Sequence, residues 1–273
     1  MRTNIILFSL FLLSSSLCAQ VRDRATIWHQ GISSDSGERN LSEAWVSERW
    51  LLDEDGTGLF QFGVQARRTE LPQSDLLPDD VWMIVPQGNL LYAIDEKHSL
   101  IANLRIGAFS DLQKMGRDSF RVEGAVVIDR FISDHLTVGG GMGRLSNFGR
   151  VIFVPLVHIV WSISENWLLD AMLPGRLDLM YLPTPKLEAG ISFNILGSRY
   201  AIDSDERKID SLGVAQMNLG PVARYQIAPS VYLTAESGVA FARRLSLMDE
   251  NTEIREFSPN NEIYLRTGIQ YRF

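Results

Sequence analysis

The feature that most constrains this chain is the way its C-terminal segment sorts side chains by polarity. Ile263, Leu265, Thr267, Ile269, Tyr271 and Phe273 occupy alternate positions, and Glu262, Tyr264, Arg266, Gly268, Gln270 and Arg272 occupy the others. A β-strand has a side-chain period of two, so the segment has one apolar face and one face that holds every charge. The same sorting recurs upstream. Phe60, Phe62, Val64 and Ala66 alternate with Gln61, Gly63, Gln65 and Arg67; Leu104, Ile106 and Ala108 with Asn103, Arg105 and Gly107; Val122, Val126 and Ile128 with Arg121, Glu123 and Asp129. Leu187, Ala189, Ile191, Phe193 and Ile195 oppose Glu188, Gly190, Ser192 and Asn194, and two further segments, 212–226 and 229–245, repeat the pattern.

Strand after strand thus keeps charge off one face. Arg or Lys facing lipid at a bilayer midplane costs about 2–4 kcal/mol, which would enforce this rule in a transmembrane barrel. Arg68, Arg130 and Arg243 break phase, and each is expected at a strand end. No second run of about 18 apolar residues follows the N-terminus, so no helix is expected to span a membrane. Connections are uneven. Short turns are expected at Asp53–Thr57, Asp95–His98, Ser133–His135, Ser164–Asn166, Pro183–Lys186 and Ala228–Ser230, and longer polar loops near 70–80, 110–117, 199–211 and 246–260. Counting from a periplasmic C-terminus places the short turns on the periplasmic side and the long loops outside, with Ser146–Gly149 and Pro174-Gly175 as short exceptions. Trp161, Trp167, Tyr181 and Tyr225 stand near short turns in the outward phase, where an interfacial girdle would sit. The fold expected is therefore all-β: an antiparallel up-and-down transmembrane barrel of about twelve strands, with ten or fourteen as alternatives.

The ends add a compartment. Arg2, the apolar run Ile5–Leu13 and the small residues Ser14–Ala19 form a secretory signal over 1–19. Residues 20–41 read as a polar leader, and 42–273 as the barrel, with 42–52 an extra strand or a segment tucked into it. Cys18 is the only cysteine and lies in the signal. Leu17 before it argues against lipid attachment, and the exported chain would have no disulfide framework or thiolate site. The formal charge of −7 gives no electrostatic case for nucleic-acid binding.

The terminal Tyr271-Arg272-Phe273, with Ile269, Leu265 and Ile263 in phase, resembles the assembly signal of bacterial outer-membrane β-barrels. The length and the run Leu173-Pro174-Gly175-Arg176 to Tyr181-Leu182-Pro183 are similar to an uncharacterised outer-membrane barrel family carried as a domain of unknown function. The resemblance covers about 42–273. It implies a bacterial outer-membrane location, with outer-membrane lipid, the barrel assembly machinery and periplasmic chaperones as partners, and Ile269, Tyr271 and Phe273 as the assembly signal.

Chemistry is sparse. Of His29, His98, His135 and His158, the last lies in a strand on the same face as Ser162. Four residues of strand span about 13 Å, too far for a nucleophile and its base. The inward charges form the candidate lumen: Arg67, Arg105, Arg121, Glu123, Asp129, His158, Asp170, Asp178, Glu188, Arg224, Glu236 and Arg266. Their mixed signs fit a mutually neutralising ladder or a weakly selective path. The acidic loops Asp203–Glu206 and Asp249-Glu250 lack the spacing of a calcium loop. Gly139–Gly143 is a strand segment whose small residues would admit a bulky inward side chain. The expectation is a non-enzymatic outer-membrane barrel, structural or a narrow channel, without cofactor or metal. A lipid-acting hydrolase and a secreted soluble β-sandwich binding protein are the rivals.

Overall fold

The computed structural model describes residues 23–33, 39–74, 77–113, 115–147, 149–202, 209–249 and 252–272. The expected signal, the Asp203–Glu206 loop and Phe273 lie outside them. The alternating segments form strands, in order β1 (Asp23–Ser33), β2 (Arg39–Leu51), β3 (Gly58–Glu70), β4 (Asp80–Ala93), β5 (His98–Ser110), β6 (Phe120–Ser133), β7 (Leu136–Leu145) and β8 (Ile152–Ser164). They continue as β9 (Trp167–Leu173), β10 (Arg176–Thr184), β11 (Leu187–Ala201), β12 (Ser211–Ala228), β13 (Val231–Asp249), β14 (Thr252–Phe257) and β15 (Glu262–Arg272). Successive strands pair antiparallel from β1 to β13, and β15 closes the ring between β13 and β1. The result is a closed barrel of fourteen strands, with β14 outside it, paired to the distal part of β13.

The apolar faces point outward. Ile27, Val46, Val64, Leu104, Ile106, Val126, Ile128, Ile191, Leu233, Ile263, Leu265 and Ile269 are all exposed, while Gln61, Gln87, Asn89, Asp170 and Asn218 are almost fully buried inside. The short turns fall together at one end. There the exposed aromatics Trp161, Trp167, Tyr181 and Tyr225 are joined by Trp50, Tyr92 and Tyr271. Trp167 and Tyr181 lie with ring centroids 5.1 Å apart.

The count of fourteen corrects the expected twelve. The segments from 58 onward do supply twelve barrel strands, and the Trp167–Leu173 and Arg176–Thr184 segments do form a hairpin. The two additional strands come from the region expected to be a leader and from the 42–52 segment. β1 lies between β15 and β2, with Trp28 opposite Gly268 and Glu43. Its inward positions are Thr26, Trp28, Gln30 and Ile32, so two large apolar residues face the lumen while Ile27 faces out, and the alternation that marks the other strands is blurred.

Arg243 is also corrected. It lies within β13, not at a strand end, and an irregularity in the β12–β13 register shifts the phase between the Met217–Phe241 and Ala215–Arg244 pairs. Ala242 takes a positive φ of 47° there. Re-phased by this bulge, Arg243 is buried and donates to Glu262.

The short β9–β10 hairpin shapes the long-loop end. β10 pairs with β11 up to Asn194, and β9 with β8 as far as Val157. Beyond those points β8 and β11 have no neighbour from this hairpin, and unpaired strand edges must be covered. β11 leans across the barrel instead, and its last residue, Ala201, pairs parallel with Ser110 of β5. The β7–β8 connection lies on it: a Cβ at Gly197 would sit 2.5 Å from the Asn147 carbonyl oxygen, and one at Gly213 would sit 2.3 Å from that of Gly149. Ile195, expected outward, is buried in this region.

The crossing creates an apolar core inside the long-loop half. Val81, Met83, Val85, Phe109, Tyr200, Leu212, Leu245 and Leu247 form one buried cluster contributed by opposite walls. Phe109 and Tyr200 lie with ring centroids 6.4 Å apart. The lumen is thus not polar throughout: its long-loop half is packed like the inside of a soluble domain.

Candidate functional site: the lumen

Below the apolar core lies a chamber of about 340 Å³, lined from both walls. Trp28, Trp45, Glu43, Arg67, Arg105, Arg176, Asp178, Arg224, Glu236 and Arg266 contribute to it, with amide side chains such as Gln65, Gln87 and Asn103. Every one of these residues is brought in by strand phase. In β3, for example, outward Val64 and Ala66 force Gln65 and Arg67 inward.

The charges are paired across strands. Arg67 meets Glu43 at 2.6 Å and Arg105 meets Glu123 at 3.4 Å. Arg176 donates through Nε to Asp178 at 2.9 Å and lies 3.9 Å from Asp170. Arg224 lies 3.8 Å from Asp178 and 3.2 Å from Glu188, which also accepts from Arg272 at 2.9 Å. Asp170, Arg176, Asp178, Arg224, Glu188 and Arg272 therefore alternate in sign along the wall. Arg266 faces Glu236 at 3.8 Å and stacks over Trp28 at 4.3 Å. The Tyr264 hydroxyl donates to Glu236 at 2.6 Å. On the other wall, Asn103 donates to Asn89, Asn89 to Gln61, and Gln61 to Ser47, at 2.7–3.1 Å. Partnership of this kind is what buried charges and amides require. The Nε–H groups of Arg105, Arg224 and Arg266 have no protein acceptor, so the chamber wall keeps donor capacity for water.

His158 is buried beside the chamber and its Nδ1 lies 2.9 Å from both carboxylate oxygens of Asp129. The two residues are two strands apart. Asp129 pairs with Gly139 and Gly139 with His158, so the contact spans the intervening strand. A Cβ at Gly139 would fall 1.9 Å from Asp129 Oδ1, which explains the glycine and fits the close approach expected along Gly139–Gly143. No serine hydroxyl bonds to His158 among the described residues. The arrangement orients an imidazole but supplies no nucleophile.

The twelve residues expected in the lumen thus occupy three settings. Arg67, Arg105, Asp178, Arg224, Glu236 and Arg266 line the chamber, Glu123 and Glu188 pair with Arg105 and Arg224, and Asp170 lies 3.9 Å from Arg176. Asp129 and His158 pair with each other. Arg121 lies higher, at the crossing, where it donates to the Arg199 carbonyl and stacks over Phe109 at 5.3 Å. Ile269 and Tyr271 are exposed on the outer surface. Sequence reasoning did not include Glu43, Arg176, Trp28 and Trp45. Arg176 shares a strand face with Asp178, two residues on, and is legible from that spacing. Glu43 is not, because its neighbours Leu41 and Trp45 face inward with it.

Among the described residues no group of His, Cys, Asp and Glu is arranged to hold a metal ion. A second, larger cavity of about 1130 Å³ lies at the long-loop end, between the ends of β6–β8 and of β11–β12.

A sequence profile described as "Domain of unknown function (DUF6268)" matches residues 73–272. No curated protein matches the chain in sequence. Among solved structures, the NanC porin is similar at 10% identity, with 91% of this chain and 100% of that one covered and a TM-score of 0.46. LpxR from Salmonella typhimurium is similar at 8% identity, with 91% and 100% covered and a TM-score of 0.40. A mutant TodX monoaromatic hydrocarbon channel is similar at 10% identity, with 91% and 89% covered and a TM-score of 0.37.

Proposed function

We propose, for a chain that belongs to the DUF6268 family of unknown function, that it is a non-enzymatic bacterial outer-membrane barrel whose lumen is closed on the outer side by its own apolar core. The exposed apolar band supports the membrane setting, since a soluble monomer does not display a contiguous apolar surface around its whole girth. The aromatic ring at the short-turn end supports the orientation, with short turns and both described strand ends periplasmic and long loops outside. Outer-membrane lipid is then the surrounding partner. The exposed Ile269 and Tyr271 suit a signal read by the barrel assembly machinery, with periplasmic chaperones carrying the chain to it.

The observation that carries the closed reading is the contact of Phe109 with Tyr200 across the lumen. Small barrels fill with side chains and barrels of 16–18 strands leave an aqueous channel. Fourteen strands lie near the open end of that range, so an obstruction is needed, and the crossing of β11 to β5 provides it. The chamber beneath, with its alternating charges, is a hydrated pocket in a structural barrel and not a segment of a wide pore. The His158–Asp129 pair ties three strands together and performs no chemistry.

Planar-bilayer conductance of the refolded chain tests this. The wild type is expected to give no steady open-channel current, and a Phe109→Gly/Tyr200→Gly variant to give one. Ohmic wild-type currents unchanged in the variant would contradict the closed reading. Lipid turnover abolished by His158→Ala would contradict the non-enzymatic one.

A further inference from the structure

The cavity at the long-loop end is unlike the chamber in one respect: most of its arginines make no ion pair among the described residues. In the chamber every arginine meets a carboxylate. Four arginines line the outer crevice without an ion pair among the described residues, Arg117, Arg121, Arg144 and Arg150. Arg144 donates to the carbonyl of Val122 and Arg121 to that of Arg199, so each gains a hydrogen bond but no ion pair among the described residues. Arg150 is exposed and bonds to nothing among the described residues. Of the carboxylates that also line the crevice, Asp210 lies 3.7 Å from a fifth arginine, Arg199, while Asp118 and Glu253 make no ion pair among the described residues. Five arginines against three carboxylates leave the crevice cationic in a chain whose overall charge is −7.

The second observation is what stands beside these cations. Phe153, opposite Arg144 in the β7–β8 register, is 73% exposed, and Phe120 is 58% exposed. Both line the same crevice. Both are on the outward face, continuous with the apolar band through Val122 and Met142. The crevice therefore offers guanidinium groups and bare aromatic surface side by side. A small soluble anion would use the first and leave the second wet; an amphiphile with an anionic head would use both.

We propose that this crevice binds the phosphorylated headgroup of an outer-leaflet lipid. Arg144 and Arg150 hold the phosphate oxygens, as planar guanidinium groups do in bidentate geometry, and Phe120 and Phe153 lie against the acyl chains. Arg117 and Arg121 add attraction without defining the contact. The inference rests on the reading of the barrel as an outer-membrane protein with its long loops outside.

The test is equilibrium binding of radiolabelled dioleoyl phosphatidic acid to the refolded full chain in dodecyl maltoside micelles, with heat-modifiable gel migration run on the same samples. The expected result is one saturable site that dioleoyl phosphatidylcholine does not occupy. Arg144→Gln/Arg150→Gln is expected to weaken it by about tenfold or more. Arg130→Gln, at the opposite end, is expected to leave it unchanged, and millimolar inorganic phosphate not to displace the lipid. Should the double variant lose its folded band, Arg150→Gln alone carries the same expectation, since that side chain supports no described contact. A folded variant that binds as tightly as the wild type overturns the proposal. Full displacement by inorganic phosphate, with Phe153→Ser binding as wild type, also overturns it, in favour of a soluble anion. A wild-type chain with no heat-modifiable band overturns the barrel reading instead.

Discussion

At the residue scale, the lumen depends on small residues placed beside large ones. Gly139 allows Asp129 to reach His158 across a strand. Gly139→Val is expected to push the carboxylate away and leave a buried imidazole and carboxylate unpaired, at a cost of roughly 1–3 kcal/mol. The urea midpoint of the folded barrel should fall accordingly, whereas Gly140→Val, whose Cβ meets nothing, should leave it in place. Both His158 and Asp129 could be assigned inward from phase, but their contact could not. Register across two hairpins is set by turn geometry, and one residue of slip would separate them. A second residue-scale expectation concerns the short turn before β5. Asp95 accepts hydrogen bonds from the backbone of Lys97 and from the side chain and backbone of His98, which hold its carboxyl below the usual range. A depressed carboxyl stabilises the turn above its unfolded value of about 3.9, and the contribution is lost as pH falls through the lower folded value. The Lys97 amide resonance should therefore titrate with a midpoint below 3.9, as Asp pKa values are ordinarily near that number, and Asp95→Asn should remove the transition. A midpoint at or above the usual value would contradict the assignment.

At the scale of elements, the twelve barrel strands from residue 58 onward are legible in the sequence, seven of them from charge phase, whereas 42–52 reads equally as a strand or a tucked segment and β1 reads as leader. The outward apolar stripe that marks β3, β5 or β15 is thin in β1, where Ile27 is the large exposed residue and Trp28 and Ile32 face in. In β2, Glu48 lies on the exposed face and Leu41 and Trp45 on the buried one. Strands whose inward side packs on other apolar residues do not show the polar-in pattern, and they read as loop or leader. The Val81–Val85 run was a usable sign of the same effect. Its two faces are both apolar, as expected of a strand buried on one side by the core and covered by lipid on the other. Deletion of residues 20–33 separates the two assignments. A leader could be removed with the folded band retained, whereas loss of β1 leaves the facing edges of β15 and β2 unpaired. The deleted chain is expected to lose heat-modifiable migration; a retained compact band would contradict the closure described.

At the scale of the whole molecule, the short β9–β10 hairpin was read correctly as a hairpin, but its consequence was invisible. Nothing in the local sequence says that β11, paired with β12 throughout but without β10 beyond Asn194, crosses to β5. That crossing divides the outer half of the barrel, builds the apolar core, and makes the rim crevice on its far side. The mixed charge of the lumen residues, which argues for structural filling on sign alone, acquires its reason here: below the apolar core, the charges neutralise one another around the chamber. The central claim is that the opposite walls meet. A Ser110→Cys/Ala201→Cys pair, oxidised in intact outer membranes, tests it most directly. The account predicts a reducible shift in migration, as strong as that of an adjacent-strand control, Thr26→Cys/Gln270→Cys. A control that cross-links while the Ser110–Ala201 pair does not would contradict it.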